Sequence, residues 1–327
     1  MAQSEKEAVA AERVAALLRA AANINAANSD GWTPLVQASQ NGDVEHVAAL
    51  LGAKANVNAS NSDEGVTALM VASRFGDDTR VLAALLGAKA NVNAAEEDGW
   101  TSLMHASKVG GDVARVAALL GAKANVNATS DTGWTALMQA SESGDVERVA
   151  ALLGSKANVN AANEDGCTPL IAASRFGDVE RVVALLSAQA NVNAAVNNGL
   201  TSLIQASRED GDVERVVALL AAKANVNVAA ADGLTPLMHA SDGSGDVERV
   251  VALLRAKANV NALDNDGWTP LMHASHGGDV ECVATLLAAK ANVKANVNAD
   301  TGGRQAADSS SAGGADGLVG QHNAEDR

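Results

Sequence analysis

The chain has 327 residues, of which 47% are hydrophobic and only 2% aromatic, and it carries a formal net charge of −15. This acidic balance argues against binding to DNA or RNA and to anionic membrane surfaces, because both need clustered positive charge. No apolar run approaches the roughly 20 residues that span a bilayer, and residues 1–10 lack the pattern of a secretory signal peptide.

The first predicted element is half of a repeating unit. Residues 11–26 read AERVAALLRAAANINA and closely copy residues 247–262, VERVVALLRAKANVNA. The copy lacks a first helix of its own. We therefore interpret residues 1–26 as a capping half repeat at the amino end.

Residues 27–299 then contain one unit written eight times. Its anchor threonines are separated by 34, 34, 34, 33, 33, 34 and 34 residues, a period typical of repeat arrays. We number the repeats 1 to 8 by these threonines, which are Thr33, Thr67, Thr101, Thr135, Thr168, Thr201, Thr235 and Thr269.

Each unit predicts a turn followed by two helices. In repeat 1, Asp30-Gly31 is a turn dipeptide, Thr33 can cap the first helix, and Pro34 can occupy its first position. Asp43 then caps a second helix, whose valines and leucines recur at helical spacing. One unit cannot bury its apolar face alone, so neighbouring units must stack.

The composition changes after the last repeat. Residues 300–327 read DTGGRQAADSSSAGGADGLVGQHNAEDR, a stretch rich in small and polar residues. Such a segment lacks the apolar surface needed to offset the entropy of ordering. We predict that residues 300–327 form a disordered tail.

The repeated unit resembles an ankyrin repeat. It combines a turn, G-x-T-P-L, an A-A or A-S pair, G-D-V-E-x-V, a leucine pair and N-V-N-A. The resemblance implies an all-α repeat solenoid of stacked helix–turn–helix units with projecting β-hairpin loops. It also implies a concave face that binds other proteins.

Two positions depart from the family pattern. Three residues after each threonine, where the family has histidine, this chain has valine, methionine or isoleucine; His105, His239 and His273 fall one position later. We therefore expect apolar packing to replace the family's polar brace between loops.

The second departure lies at the end of the second helix, where the family favours glycine. If this position is left-handed, a residue with a Cβ costs about 1 kcal/mol there. The chain places these residues in that position: Lys54, Lys89, Lys123, Lys156, Gln189, Lys223, Lys257 and Lys290.

The strongest candidate binding residues are the four tryptophans. Trp32, Trp100, Trp134 and Trp268 all directly precede an anchor threonine, and the resemblance places this position at the base of the hairpin, facing the binding surface. Tryptophan is frequent in binding hot spots. The alternative is that each indole packs on the neighbouring hairpin.

Phe75 and Phe176 are further candidates, since both occur in the pentapeptide SRFGD at the end of a first helix. In the family this end also faces the concave side. The alternative is that each ring covers the gap between adjacent repeats.

Charged residues recur as ladders, which we interpret as helix capping rather than as a binding site. An exposed aspartate–arginine pair at such a position contributes under about 1 kcal/mol. The acidic ladder comprises Asp43, Asp77, Asp112, Asp145, Asp178, Asp212, Asp246 and Asp279, and the basic one Arg80, Arg115, Arg148, Arg181, Arg215 and Arg249.

We expect no metal site, no cofactor and no catalytic residues. His273, His276 and Cys282 lie close in sequence, but a structural zinc site needs four ligands. The chain contains none of the phosphate-loop, nucleophile-elbow or zinc-protease motifs. Cys167 and Cys282 lie too many repeats apart for a disulfide, and unpaired cysteines fit a reducing, intracellular and cytoplasmic setting.

The sequence thus predicts a monomeric, non-enzymatic scaffold that binds a protein partner on its concave and hairpin face, through Trp32, Trp100, Trp134, Trp268, Phe75 and Phe176. An acidic rim favours a basic partner. The alternative function is a regulatory or targeting subunit that inhibits or recruits an enzyme.

Overall fold

The computed structural model describes residues 24–61, 64–75, 79–108, 110, 112–143, 145–176, 178–208, 212–242 and 247–293. The predicted disordered tail, most of the predicted cap, and the ladder residues Asp77 and Asp246 lie outside the described residues. The boundaries at residues 26 and 299 therefore stay predictions.

Each repeat contains two short helices, as the sequence predicts. The first helices span Pro34–Gln40, Ala68–Phe75, Ser102–Ser107, Ala136–Ser143, Pro169–Phe176, Ser202–Ala206, Pro236–Ser241 and Pro270–Gly277. The second helices span Val44–Gly52, Thr79–Gly87, Val113–Gly121, Val146–Gly154, Val179–Ser187, Val213–Ala221, Val247–Arg255 and Val280–Ala288.

Side-chain caps fix where the helices begin. The Thr33 hydroxyl accepts a hydrogen bond from the backbone N–H of Val36 at 3.4 Å, and Pro34 occupies the first turn. The carboxylate of Asp43 accepts one from the N–H of His46 at 3.0 Å. These caps satisfy N–H groups that a helix leaves unpaired at its start.

The second helices end at a left-handed residue, as predicted for the lysine position. The φ angles there lie between +64° and +71° for all seven lysines and for Gln189. Each of these side chains therefore stands where glycine would be less strained.

Neighbouring repeats stack helix on like helix. Within repeats 1 to 5, and again within repeats 7 and 8, first helices pack on the first helices of the adjacent repeat and second helices on its second helices. The core between them is aliphatic: Leu69, Met70 and Leu85 are fully buried in repeat 2, and their equivalents recur along the stack. This arrangement confirms the all-α repeat solenoid.

The repeats group into two compact units. The first comprises Met1–Asn197 with Ala221–Ala224, and the second comprises Asn198–Leu220 with Asn225–Arg327. Repeats 1 to 5 thus lie in the first unit, and repeats 7 and 8 in the second.

Candidate functional site

A hairpin loop, here called a finger, precedes the first helix of every repeat. The described residues of fingers 1 to 8 are 28–32, 61 with 64–66, 96–100, 130–134, 163–167, 196–200, 230–234 and 264–268. In finger 1 the N–H of Asn28 donates to the carbonyl of Trp32 at 3.0 Å, and the N–H of Gly31 donates to the carbonyl of Asn28 at 3.1 Å.

The finger turn requires positive φ at its glycine alone. Gly31 has φ +78°, whereas the aspartate before it keeps negative φ, as do the other non-glycine residues described in the fingers. This geometry matches a three-residue hairpin loop that closes on a left-handed glycine.

Adjacent fingers are joined by backbone hydrogen bonds. In the first unit the N–H of Glu97 donates to Glu64 at 2.9 Å, and that of Asp131 donates to Asp98 at 2.8 Å. A Cβ on Gly99 would lie 2.9 Å from the Cα of Ser130, so glycine is needed for close approach as well as for φ. Fingers 2 to 5 therefore form a continuous ladder.

A second ladder, which the sequence analysis missed, runs through the N-V-N motif. The N–H of Asn91 donates to the side-chain oxygen of Asn58 in the preceding repeat at 2.7 Å, and the N–H of Asn125 donates likewise to Asn93. Each of these hydrogen bonds thus links two repeats. The recurrence of both asparagines in repeats 1 to 7 was the sequence signal that could have revealed the ladder.

The tryptophans differ in exposure. Trp100 is buried, with 6% of its surface exposed, whereas Trp32, Trp134 and Trp268 are half-buried. The Trp100 ring lies 5.2 Å from the ring of His105. The structure thus gives Trp100 a packing position and leaves part of the other three indoles accessible.

The shifted histidines restore a polar brace, so the expectation of purely apolar packing is wrong for two repeats. His105 Nε2 lies 2.7 Å from Oε1 of Glu96 in its own finger, and His273 Nε2 lies 2.9 Å from Oδ2 of Asp264. Burial favours a raised pKa for Asp264, but hydrogen bonds from His273 and the Trp268 backbone outweigh it and lower the pKa.

His239 lacks the equivalent carboxylate. Ala230 occupies the finger position that Glu96 holds in repeat 3, and Nε2 of His239 is buried without a hydrogen-bond partner. Burial, assisted by the nearby positive charge of Arg208, lowers the pKa of His239 to about 4. The imidazole is therefore neutral near pH 7.

Phe75 and Phe176 project from the structure. Their exposed fractions are 43% and 49%, so neither ring is covered by the adjacent repeat. The guanidinium carbon of Arg74 lies 4.7 Å from the Phe75 ring centroid, and that of Arg175 lies 4.5 Å from the Phe176 centroid. Each SRF segment thus presents a preassembled guanidinium–aromatic pair.

The arginine ladder is largely buried, so the expectation of exposed pairs is wrong. Arg148 reaches the carbonyl of Lys108 in the preceding repeat at 2.6 Å and the carboxylate of Asp145 at 3.3 Å. Only Arg80 of the ladder is exposed. Exposed fractions of 3–7% are shared by Arg115, Arg148, Arg181, Arg215 and Arg249.

The finger tips carry the exposed negative charge of the site. No finger contains a lysine, arginine or histidine. In the first unit, fingers 1 to 5 each present at least one exposed carboxylate, on Asp30, Glu64, Glu97, Asp98, Asp131 and Glu164.

The other potentially reactive side chains among the described residues do not form a catalytic or metal-binding centre. Burial, with the Glu142 carboxylate nearby, raises the pKa of Cys167 to about 12, which keeps the thiol protonated and weakly nucleophilic. Among the described residues no three histidines, cysteines or acids converge as metal ligands. None of the described helices is long and apolar enough to cross a membrane.

Short helix pairs stacked repeat on repeat, with a hydrogen-bonded finger before each pair, define a helical repeat solenoid. A family model described as ankyrin repeats in three copies matches residues 6–94, 69–163, 103–196, 137–230 and 203–299. The chain therefore belongs to the ankyrin repeat family, whose repeats generally mediate protein–protein interactions. No curated protein matches the chain.

Proposed function

We propose that this protein is a non-enzymatic scaffold that binds a basic protein partner on its concave and finger face. The carrying observation is that exposed aromatic rings and an unbroken row of acidic fingers occur together in the first unit. Exposed aromatic rings and exposed carboxylates are typical of binding surfaces and add nothing to a buried core.

The aromatic part of the surface supplies affinity. Phe75 and Phe176 are among the exposed large hydrophobic side chains of the chain, and each costs free energy when left in water. Burying such rings against a partner is typical of hot spots. The half-buried indoles of Trp32, Trp134 and Trp268 add to the surface, while Trp100 positions its finger from within.

The charged part of the surface supplies specificity for the partner. Carboxylates without intervening cations in the fingers give that face a negative potential, and the net charge of −15 extends it. A positive partner is attracted and a negative one repelled. Affinity for such a partner should therefore weaken with salt.

The arrangement of polar groups favours binding over catalysis. The carboxylates are spread along successive fingers rather than converging with a base and a nucleophile. The His–carboxylate pairs are also engaged in bracing their own fingers.

The test replaces both exposed rings. Phe75→Gln with Phe176→Gln should abolish capture of the partner from the native cell, while circular dichroism and the melting temperature stay unchanged because the rings are exposed. Retained capture by the folded variant would contradict the proposal.

Val183→Gln with Leu287→Gln is the matched control. Both side chains are exposed on second helices, so this variant also replaces two exposed apolar side chains with glutamine, but away from the fingers. Capture should persist. Equal loss in both variants would indicate a general effect of surface polarity.

A further inference from the structure

Finger 6 differs from the other fingers in charge. The position directly before the finger glycine carries an acidic residue in six repeats and threonine in repeat 4, but asparagine in repeat 6. Residues 196–200 read VNNGL, and every other finger contains at least one acidic residue. Asn198 is exposed in this finger, so its side-chain amide is accessible to water.

Asn198 and Gly199 form one of the two Asn-Gly dipeptides in the chain, and the other is Asn41-Gly42. An asparagine before glycine can react with its own backbone, because glycine has no side chain that shields its nitrogen. The reaction needs a backbone nitrogen that is free to approach the carbon of the side-chain amide. The two dipeptides can therefore be compared by the hydrogen bonds of their glycine nitrogens.

The Gly199 nitrogen is less constrained than its equivalents. The corresponding glycine N–H donates to a carbonyl of its own finger at 2.9–3.1 Å in fingers 1, 3, 4, 5, 7 and 8. Among the described residues, no backbone carbonyl accepts a hydrogen bond from the Gly199 N–H. At the other dipeptide, the Gly42 N–H donates to the carbonyl of Ser39 at 3.3 Å. The attacking nitrogen is thus hydrogen-bonded beside Asn41 and not beside Asn198.

The Asn198 side chain is held over this peptide group. Its Oδ1 accepts a hydrogen bond from the N–H of Leu200 at 3.2 Å, which closes a ring that contains the Gly199 nitrogen. Attack on Cγ places negative charge on Oδ1, and a donor already aimed at that oxygen stabilises the charge. The residue thus combines a nearby nucleophile, an activated carbonyl and a leaving group that is exposed to water.

We propose that Asn198 is a site of spontaneous deamidation. The Gly199 nitrogen attacks Cγ of Asn198, so that a new C–N bond forms and the bond from Cγ to Nδ2 breaks. Nδ2 leaves as ammonia with the proton of the Gly199 N–H. Water then opens the resulting succinimide at one of its two carbonyls. The products are an aspartate or an isoaspartate at position 198, and no oxidant or reductant takes part.

The two products change finger 6 in different ways. An aspartate adds one negative charge and keeps the backbone intact. An isoaspartate routes the backbone through Cβ and Cγ, which displaces the carbonyl that accepts from the Ala231 N–H at 2.8 Å. A Cβ on Gly199 would already lie 3.1 Å from the Cα of Ala230, so finger 7 leaves little room for an extra backbone atom. We therefore expect isoaspartate to break the hydrogen bond between fingers 6 and 7.

The first test follows the modification in the full chain. The wild type is incubated in mildly alkaline buffer, and peptide mass spectrometry measures deamidation at Asn198 and Asn41 over time. Asn198 should react roughly fivefold faster, because the Gly42 N–H must first give up its hydrogen bond. In urea, where both dipeptides are unfolded, the two rates should become similar. Equal rates in the native chain would overturn the proposal.

The second test detects the isoaspartate. Asn198→Gln keeps an exposed amide in the finger but cannot form the five-membered ring. An isoaspartyl methyltransferase should label the aged wild type mainly at position 198, and the aged variant should lose that labelling. Equal labelling of the two proteins would assign the reaction to other asparagines and overturn the site.

The third test separates the modification from its effect on binding, which rests on the proposed function. Asn198→Asp has the charge of the first product and should bind a labelled oligolysine peptide up to about fivefold more tightly. Gln189→Glu makes the same amide-to-carboxylate change on an exposed residue after a second helix and should have a smaller effect. Deamidation at Asn198 without tighter binding by Asn198→Asp would contradict a basic partner and retain the modification site.

Discussion

Repeats 3 and 7 place the same side chain in two different environments. Both carry histidine four residues after the anchor threonine, but His105 meets Glu96, whereas His239 has Ala230 at the corresponding finger position and a buried ring nitrogen without a partner. One finger residue, nine positions before the histidine, decides between them. The brace is therefore a property of two positions, and either can be lost without disturbing the helix.

The largest expected effect of this difference concerns pH. The pKa of His239 is lowered from 6.5 to about 4 in the folded protein, so the unfolded chain takes up its proton first as pH falls. Stability from this group is full above about pH 6.5 and is lost progressively toward pH 4. The loss is at most about 3 kcal/mol, at about 1.4 kcal/mol per pKa unit.

Urea melts of the wild type and of His239→Gln between pH 7 and pH 4 measure this effect. Glutamine occupies the same position in repeats 4 and 6, so the variant should fold. As pH falls from 7 to 4, the unfolding free energy of the wild type should decrease more than that of the variant. A constant difference would show that His239 has an ordinary pKa.

Breaking the brace in repeat 3 should have the next largest effect. Glu96→Ala reproduces the situation of repeat 7 and leaves the buried His105 nitrogen unpaired. The expected loss is about 2 kcal/mol of unfolding free energy at pH 7. Glu97→Ala, at the adjacent exposed position, is the control and should change stability by less than about 0.5 kcal/mol.

Building the brace in repeat 7 should have a smaller, opposite effect. Ala230→Asp places a carboxylate where Asp264 meets His273 in repeat 8, and should stabilise the protein by about 1 kcal/mol. The pKa of His239 should rise at the same time, which NMR titration can follow. Ala231→Asp adds the same charge one residue away, and a matching rise there would attribute the effect to general electrostatics.

The smallest effect concerns a feature that the two repeats share. Lys123 and Lys257 both hold left-handed φ, at +71° and +66°, so each replacement by glycine should raise stability by about 0.5–1 kcal/mol. Denaturant melts should give similar gains in repeats 3 and 7. A loss in either would show that the lysine side chain contributes contacts that outweigh its backbone strain.

The features that could be predicted from the sequence are those set within one repeat. The Thr33 and Asp43 caps, the helix pair and the left-handed lysines follow from local residue preferences, and the 33–34 residue period then requires stacking. The contacts that form these features span only a few residues, so local residue preferences were sufficient to predict them.

The missed features depend on neighbouring repeats or on pairs of positions. Arg148 is buried because it reaches a carbonyl forty residues earlier, and Asn91 is fixed by an acceptor thirty-three residues earlier. Helical periodicity carries no information at such separations. The His105 brace could have been predicted only from a pair of positions. In repeats 3 and 8 an acidic residue stands nine positions before the histidine, as Glu96 before His105 and Asp264 before His273.

In the asparagine ladder, one backbone amide of a repeat is hydrogen-bonded to the repeat before it, so this amide can be used to measure the stability of the junction between them. The amide hydrogen of Asn91 is held by a side chain of the preceding repeat rather than by its own helix pair. Its exchange with solvent deuterium therefore requires separation of two repeats, even while its own helices stay folded. Protection factors of Asn91, Asn125 and Asn158 would thus map the strength of successive repeat junctions in the first unit, one amide for each junction.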